Sequence, residues 1–229
     1  SIIQLYDGRQ YNRLPGTPGG QSWKAALHDV RRQLKAPWLK LISLPPTLRL
    51  EGDLAVSECR QMVVTPAAAR EGLQTLWWHM GDDGQFRIVG SRFTEGTFGL
   101  AALYLEEVSM AVSADLEAWR KAWEGGRLEA YLAFYTSNAI QQGRQGIHNI
   151  RHQKAGLWSR VRPVMVQLSG LRLSMEGQGI RADMNQVYAD SAGRSDRGVK
   201  TLWLRFDGKT WRIKSLPVAL PHNKRTHAG

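Results

Sequence analysis

The sequence holds one cysteine, Cys59, in 229 residues. A single thiol excludes an internal disulfide framework and any zinc site built from several cysteines, and it leaves the redox compartment open. Long apolar runs are missing too: nothing approaches the roughly 18 residues that a membrane-spanning helix needs. The opening stretch lacks the charged, apolar and small-residue regions of a secretory leader, and Ser1 stands in place of an initiator methionine, so the chain reads as a mature or trimmed piece of a longer product. Acidic residues are in short supply, 20 against 31 Lys plus Arg, for a net charge of +11. Such a surplus favours nucleic acid, anionic lipid or acidic wall polymers through attraction that salt weakens. The basic residues are scattered, however, and the densest cluster, residues 148–162, alternates with apolar positions, the pattern of a solvated basic surface. At 42% hydrophobic and 22% charged the composition is globular, excluding a disordered or collagen-like chain, and the length allows one large domain or two small ones.

What is present is an internal repeat. Thr75-Leu76-Trp77-Trp78 returns 126 positions later as Thr201-Leu202-Trp203-Leu204. Phe86-Arg87-Ile88 returns after 125 as Trp211-Arg212-Ile213, each behind an acidic and glycine turn, Asp82-Asp83-Gly84 and Asp207-Gly208. Upstream, Glu51-Gly52 pairs with Glu176-Gly177 and Gln61 with Gln186 at 125, Pro37 with Pro163 at 126, and Leu5-Tyr6 with Phe134-Tyr135 at 129. Collinear matches with small gaps imply two copies of one domain.

The second copy carries the clearer pattern. Asp115 is placed to cap a helix whose apolar side holds Leu116, Trp119 and Trp123, ended by Gly125-Gly126. A short helix with Leu128, Tyr131, Leu132 and Tyr135 on its apolar side follows, then a third over about residues 146–160 with Ile147, Ile150 and Trp158. Beyond Pro163 the period changes to alternation, and residues 164–173, 179–188, 199–206 and 210–214 read as strands with an Asp207-Gly208 hairpin. Three helices and then four antiparallel strands make an α+β domain, helices on one face of a curved sheet.

The order Trp119, Trp123, Gly125, Tyr131, Tyr135, Trp158, Gln186-Val187-Tyr188, Lys200-Thr201-Leu202, Gly208 and Trp211-Arg212-Ile213 resembles the nuclear transport factor 2-like (NTF2-like, or SnoaL-like) superfamily. More narrowly, it is similar to the copies attached to L,D-transpeptidase (YkuD) domains in bacterial envelope proteins, including cell-shape-determining L,D-carboxypeptidases. The resemblance implies two tandem cone-shaped, cystatin-like domains: residues 1–98 a first domain, 99–112 a helical linker, 113–218 a second domain and 219–229 a flexible basic tail. It also implies a periplasmic or envelope location, with the cytoplasm left open. The family often ends its last strand with Glu, and Lys214-Ser215 stands there instead. If Tyr6 matches Tyr135, the first copy lacks the counterpart of the Trp119–Trp123 helix; residues 99–112, with Leu100, Leu103, Tyr104, Val108 and Val112 near helical spacing, either fill that place or serve as a linker.

Catalytic patterns are sparse. A YkuD enzyme needs Cys in a Gly-Cys context with Arg and His, whereas Cys59 lies in Ser57-Glu58-Cys59-Arg60 and reads as filler in a strand. His148 and His152 share one side of a helix without the Glu of a zincin motif, and His222 and His227 fall in the tail, so no metal or other cofactor is expected. Asp183 or Asp190 with His152 is the one acid–base combination that can be assembled. The stretch Pro15-Gly16-Thr17-Pro18-Gly19-Gly20 lacks the Lys of a P-loop and reads as a connecting loop, and no nucleic-acid motif accompanies the charge.

What remains is a pocket at the wide end of the second cone. Tyr131, Tyr135, Trp158, Gln186, Tyr188 and Trp203 are expected around it, with Arg151 or Lys200 at the mouth; the same residues could equally close the core. Aromatic faces stack on sugars and cations attract carboxylates, so a peptidoglycan fragment or a small anionic or aromatic ligand suits it. The leading expectation is a non-catalytic ligand-binding or dimerisation module accessory to an envelope enzyme, its copies pairing within the chain or as a homodimer. The alternatives are a small-molecule enzyme of SnoaL-like isomerase or hydrolase type and, less favoured, an anion or nucleic-acid binder.

Overall fold

The computed structural model describes residues 2–216; the expected tail, with His222 and His227, lies outside them. The chain divides into two compact units, residues 1–104 and 105–229, each with its own sheet.

The first unit opens with a 3₁₀ turn, Ile2–Leu5, and helix α1, Trp23–Leu34. Ser22 caps α1, its hydroxyl accepting from the Ala25 amide, and Trp23 packs against the rings of Tyr6 and Tyr11. Strands β1 (Lys40–Ser43), β2 (Thr47–Glu51), β3 (Leu54–Val64), β4 (Ala69–Met80) and β5 (Phe86–Glu95) follow. The sheet runs β1-β3-β4-β5, and β2 shares the β1 side of β3. Pro45-Pro46 explains why β1 and β2 are two strands and not one, since neither proline has an amide to give the ladder. Leu54, Val56, Trp77 and Val89 form a core cluster against Leu14. Glu71 accepts hydrogen bonds from the amides of Phe98 and Leu100, satisfying donors at the start of the next helix.

That helix, α2 (Leu100–Glu124), runs without a break through Asp115. The expected cap at Asp115 is therefore wrong, because residues 99–112 are themselves helical and leave no exposed start there. The Asp115 carboxylate instead accepts from the Trp211 amide at 2.8 Å. Gly126, at φ 60°, takes the left-handed conformation that ends the helix.

The second unit continues with α3 (Leu128–Leu132), β6 (Tyr135–Gln141), β7 (Arg144–Gln145), α4 (Ile147–Trp158), β8 (Pro163–Glu176), β9 (Gly179–Asp190), β10 (Ser195–Phe206) and β11 (Trp211–Leu216). Its six strands are ordered β7-β6-β11-β10-β9-β8. The four expected strands are present. Tyr135 does not close a helix, however: it begins β6, which pairs parallel to β11 at the far side of the sheet. Strands β9 and β10 also reach further than expected, leaving a short turn at residues 191–194 that the Asp190 carboxylate organises by accepting from Ala192 and Arg194 amides.

Strand pairing repeats position by position. Ala55 faces Trp78 as Ile180 faces Leu204, and Val64 faces Ala69 as Ala189 faces Ser195. The register shift at Trp77/Trp78 recurs at Trp203/Leu204. Tyr6 bridges Ile88 in parallel, as Tyr135 does Ile213. Strands β1 and β2 together take the places that the single, bulged β8 occupies against β9.

Candidate functional site

Alternation along β9 and β10 decides which side chains meet the helices of the second unit. Ile180, Ala182 and Met184 are buried, so Gln186 and Tyr188 continue the same face; Leu202 and Leu204 are buried, so Lys200 continues theirs. From the helices come Trp119 and Trp123 of α2, Tyr131 of α3, and Ile150, Lys154 and Trp158 of α4. Trp119 stacks on Tyr131, and Trp123 on Tyr188 with 5.6 Å between centroids, while Trp158 meets Tyr131 edge-on at 5.1 Å.

Two ammonium groups sit in this aromatic cluster. Lys200 Nζ lies 4.7 Å from the Trp123 centroid and 5.8 Å from that of Trp119. Lys154 Nζ is 5.7 Å from Tyr131, 5.8 Å from Trp158 and 6.0 Å from Trp123. Ring faces attract the cations, but no carboxylate pairs with either among the described residues. Burial lowers Lys154 to about 8, helped by the charge of Arg144. Burial likewise lowers Lys200 to about 7, Lys154 adding to the effect and Asp196 opposing it. Beside them, Tyr135 donates to Tyr131 Oη at 2.5 Å and Gln141 Nε2 donates to the same oxygen at 3.0 Å. Burial pushes Tyr131 up to about 12 and raises Tyr135, so both hydroxyls stay protonated at neutral pH. The carbonyl oxygens of Gln141 and Gln186 and the indole nitrogen of Trp158 are buried with no hydrogen-bond partner.

Of the expected pocket residues, the structure brings Tyr131, Tyr135, Trp158, Gln186, Tyr188 and Lys200 to this face. Arg151 is elsewhere, ion-paired with Glu129 at the surface. Trp203 points to the opposite face of the sheet, because it is one residue out of phase with Leu202 and Leu204; its indole donates to Glu176 at 2.5 Å. There it borders an outer cleft of about 440 Å³ with Ile140, Arg205 and Lys214. Lys154 and Gln141 were missed. Lys154 had a signal, since Ile150, Lys154 and Trp158 are spaced i, i+4, i+8 along one helix stripe; Gln141 had none once β6 had been read as the end of a helix.

The expected acid–base pair does not assemble. Asp183 faces outward to Arg181 and Thr201, Asp190 holds its turn, and His152 is exposed. His148 is exposed as well, and among the described residues no cluster of three His, Cys, Asp or Glu forms. Cys59 donates to the Leu44 carbonyl at 3.1 Å, and burial raises its pKa, the opposite of an activated thiol.

Residues 111–215 match the family model described as the Cds6 C-terminal NTF2-like domain, and this part of the chain sets helices against a mainly antiparallel sheet. Among solved structures the chain is similar to Bd1075 of Bdellovibrio bacteriovorus, at 20% identity and TM-score 0.43, over 58% of this chain and 47% of that one. It is also similar to the helical cell shape determining protein Pgp2 of Campylobacter jejuni, at 19% identity and TM-score 0.40, over 45% of this chain and 38% of that one. A third is a protein of unknown function with a cystatin-like fold from Nostoc punctiforme, at 12% identity and TM-score 0.38, over 48% of this chain and 87% of that one. The chain thus spans less than half the length of the first two. No curated protein matches the sequence. No helix among the described residues is long and apolar enough to cross a membrane.

Proposed function

We propose that the second unit is a non-catalytic binding module for a small anionic ligand, and that the chain as a whole is two tandem NTF2-like copies serving a peptidoglycan-modifying enzyme of the bacterial envelope. The observation that carries the binding reading is the pair of ammonium groups held among aromatic rings, Lys154 buried and Lys200 half-buried, that no carboxylate neutralises among the described residues. A buried cation costs several kcal/mol unless an anion joins it. A ligand carboxylate would supply that charge, the unpartnered Gln141 and Gln186 carbonyls would take its amide or hydroxyl hydrogens, and the rings of Trp123 and Tyr188 would offer a stacking face. Peptidoglycan fragments combine free carboxylates, peptide amides and sugar rings. The family resemblance of the tryptophan and tyrosine positions supports the envelope assignment, and the repeated strand register supports the tandem copies.

The test is titration of the full chain with a muramyl peptide carrying free carboxylates and with the same peptide amidated. Shifts of the Trp123 and Trp158 indole N–H signals are expected with the acid form. A Lys154→Met, Lys200→Met double variant should weaken binding by about tenfold or more. Because the lysines titrate at about 8 and 7, the wild type should bind better at pH 6.5 than at pH 9, with proton uptake near neutrality. Equal response to acid and amide, or indoles that stay still, would sink the proposal.

One observation favours the enzyme alternative: an amine of pKa about 7 lies in the range of a general base. Under that reading the Lys200→Met variant would lose turnover of a carbonyl substrate while still binding it.

A further inference from the structure

The large apolar side chains left exposed in the first unit are not scattered. Leu5, Leu41, Leu48, Leu50, Met80 and Phe86 are the counterparts, by strand register and sequence offset, of Phe134, Val166, Leu173, Met175, Phe206 and Trp211 in the second unit. None of the latter six is exposed. Trp211 is 4% accessible where Phe86 is 51%, Val166 is 0% where Leu41 is 51%, and Leu50 reaches 82%.

Residues 115–124 of α2 account for the difference. In the second unit they cross from β11 to β8. The Asp115 carboxylate accepts from the Trp211 amide at 2.8 Å, Glu124 accepts from the Val166 amide at 3.0 Å, and Arg120 donates to the Val166 carbonyl at 2.7 Å. Leu116, Trp119 and Trp123 face inward between those anchors and are buried. Among the described residues of the first unit no segment covers the equivalent path. Residues 99–104, the part of the 99–112 stretch that lies in this unit, leave Leu48 74% exposed.

We infer that this face of the first unit, from Phe86 to Leu41, is the seat of an amphipathic helix contributed by polypeptide outside these 229 residues. The helix is about three turns long, as residues 115–124 are. It carries bulky apolar side chains at the spacing of Leu116, Trp119 and Trp123. Hydrogen-bond complementarity fixes its ends: a carboxylate in its first turn accepts from the Phe86 amide, as Asp115 does from Trp211, and a carboxylate in its last turn accepts from the Leu41 amide, as Glu124 does from Val166. Six exposed apolar side chains lie along this one path, the kind of surface that marks an interaction site.

The experiment uses the full chain and, as probe, a fluorescein-labelled peptide with the sequence of residues 111–125. Anisotropy should rise saturably, with a dissociation constant on the order of micromolar. Leu48→Glu with Leu50→Glu should weaken binding by about tenfold or more, and so should Ala at both tryptophans of the peptide. Val199→Glu, an exposed site on β10, is the control and should change nothing. Circular dichroism of the glutamate variants should match the wild type, because the replaced side chains are already in solvent. No saturable binding up to about 0.5 mM, or binding that survives the two glutamates, overturns the inference. So does light scattering that shows the chain self-associating through this face, or vesicle binding that the two glutamates abolish, since either names a different occupant.

Discussion

At the scale of single residues, the second unit is organised around charge that has been desolvated, and that makes its stability depend on pH in an unusual direction. Lys200 titrates at about 7 and Lys154 at about 8 in the folded chain, against about 10.4 for an unfolded lysine. Between those values the unfolded chain binds more protons than the folded one, so stability rises with pH from about 7 to about 10.4, by up to about 1.4 kcal/mol per pH unit for each lysine. Well below pH 7 both states are fully protonated and the cost of burying the cations is felt in full. Lys200→Met should therefore raise the melting temperature at pH 6.5 and flatten its climb toward pH 9.5, a gain of about 1–3 kcal/mol at the acid end. A variant that melts below the wild type at pH 6.5 would mean that the ammonium already has a neutralising partner. Lys154 also shows where reading from sequence alone stopped: it shares a stripe with Ile150 and Trp158, but a lysine on an apolar stripe reads as one that snorkels to water, and only the ring positions reveal that it does not.

At the scale of elements, the end of α2 depends on a few polar anchors as well as on its tryptophans. Glu124 accepts from the Val166 amide and from Arg120, and these two bonds, the amide foremost, hold its carboxyl below the ordinary range. Its contribution is present above an unfolded pKa of about 4.3 and is lost as pH falls through the lowered folded value. Glu124→Gln keeps the shape and removes the charge, and should cost about 1–2 kcal/mol in urea unfolding at pH 7. At pH 2.5 the difference should nearly vanish; an equal cost at both pH values would show that shape and not charge anchors the helix. Elements whose pattern is local were legible in the sequence: α4, the alternation of β8 to β11 and the Asp207-Gly208 hairpin all depend on neighbouring residues. The parallel edge strand β6 was not, because Tyr135 and Ala139 are buried by pairing with β11, more than seventy residues away, and nothing local distinguishes that from a helix stripe. Asp115 misled for the opposite reason. Its type suits a cap, but caps are set by where the preceding residues stop being extended, and here they never are.

For the whole molecule the question is whether the sequence repeat is also a repeat of energetics. Ile88 and Ile213 occupy the same place, each bridged in parallel by a tyrosine, and are 3% and 1% accessible. The offset of 125 makes this pair visible in the sequence, because a core position keeps its residue type when its neighbours keep theirs. Uncovered positions carry no such trace: Leu50 and Met175 look equally apolar in sequence, and only one of them is covered. If the two units are tandem copies of one fold, as proposed, a paired outcome is expected. Ile88→Ala and Ile213→Ala should each cost about 2–5 kcal/mol in the transition that involves its own sheet. Leu50→Ala should be nearly neutral while Met175→Ala is measurably destabilising. Tryptophan fluorescence in urea, with hydrogen exchange to assign each transition to its sheet, reads all four. If Ile88→Ala is tolerated while Ile213→Ala is not, the first unit does not use its sheet as the second does, and the resemblance between them is one of sequence without shared energetics.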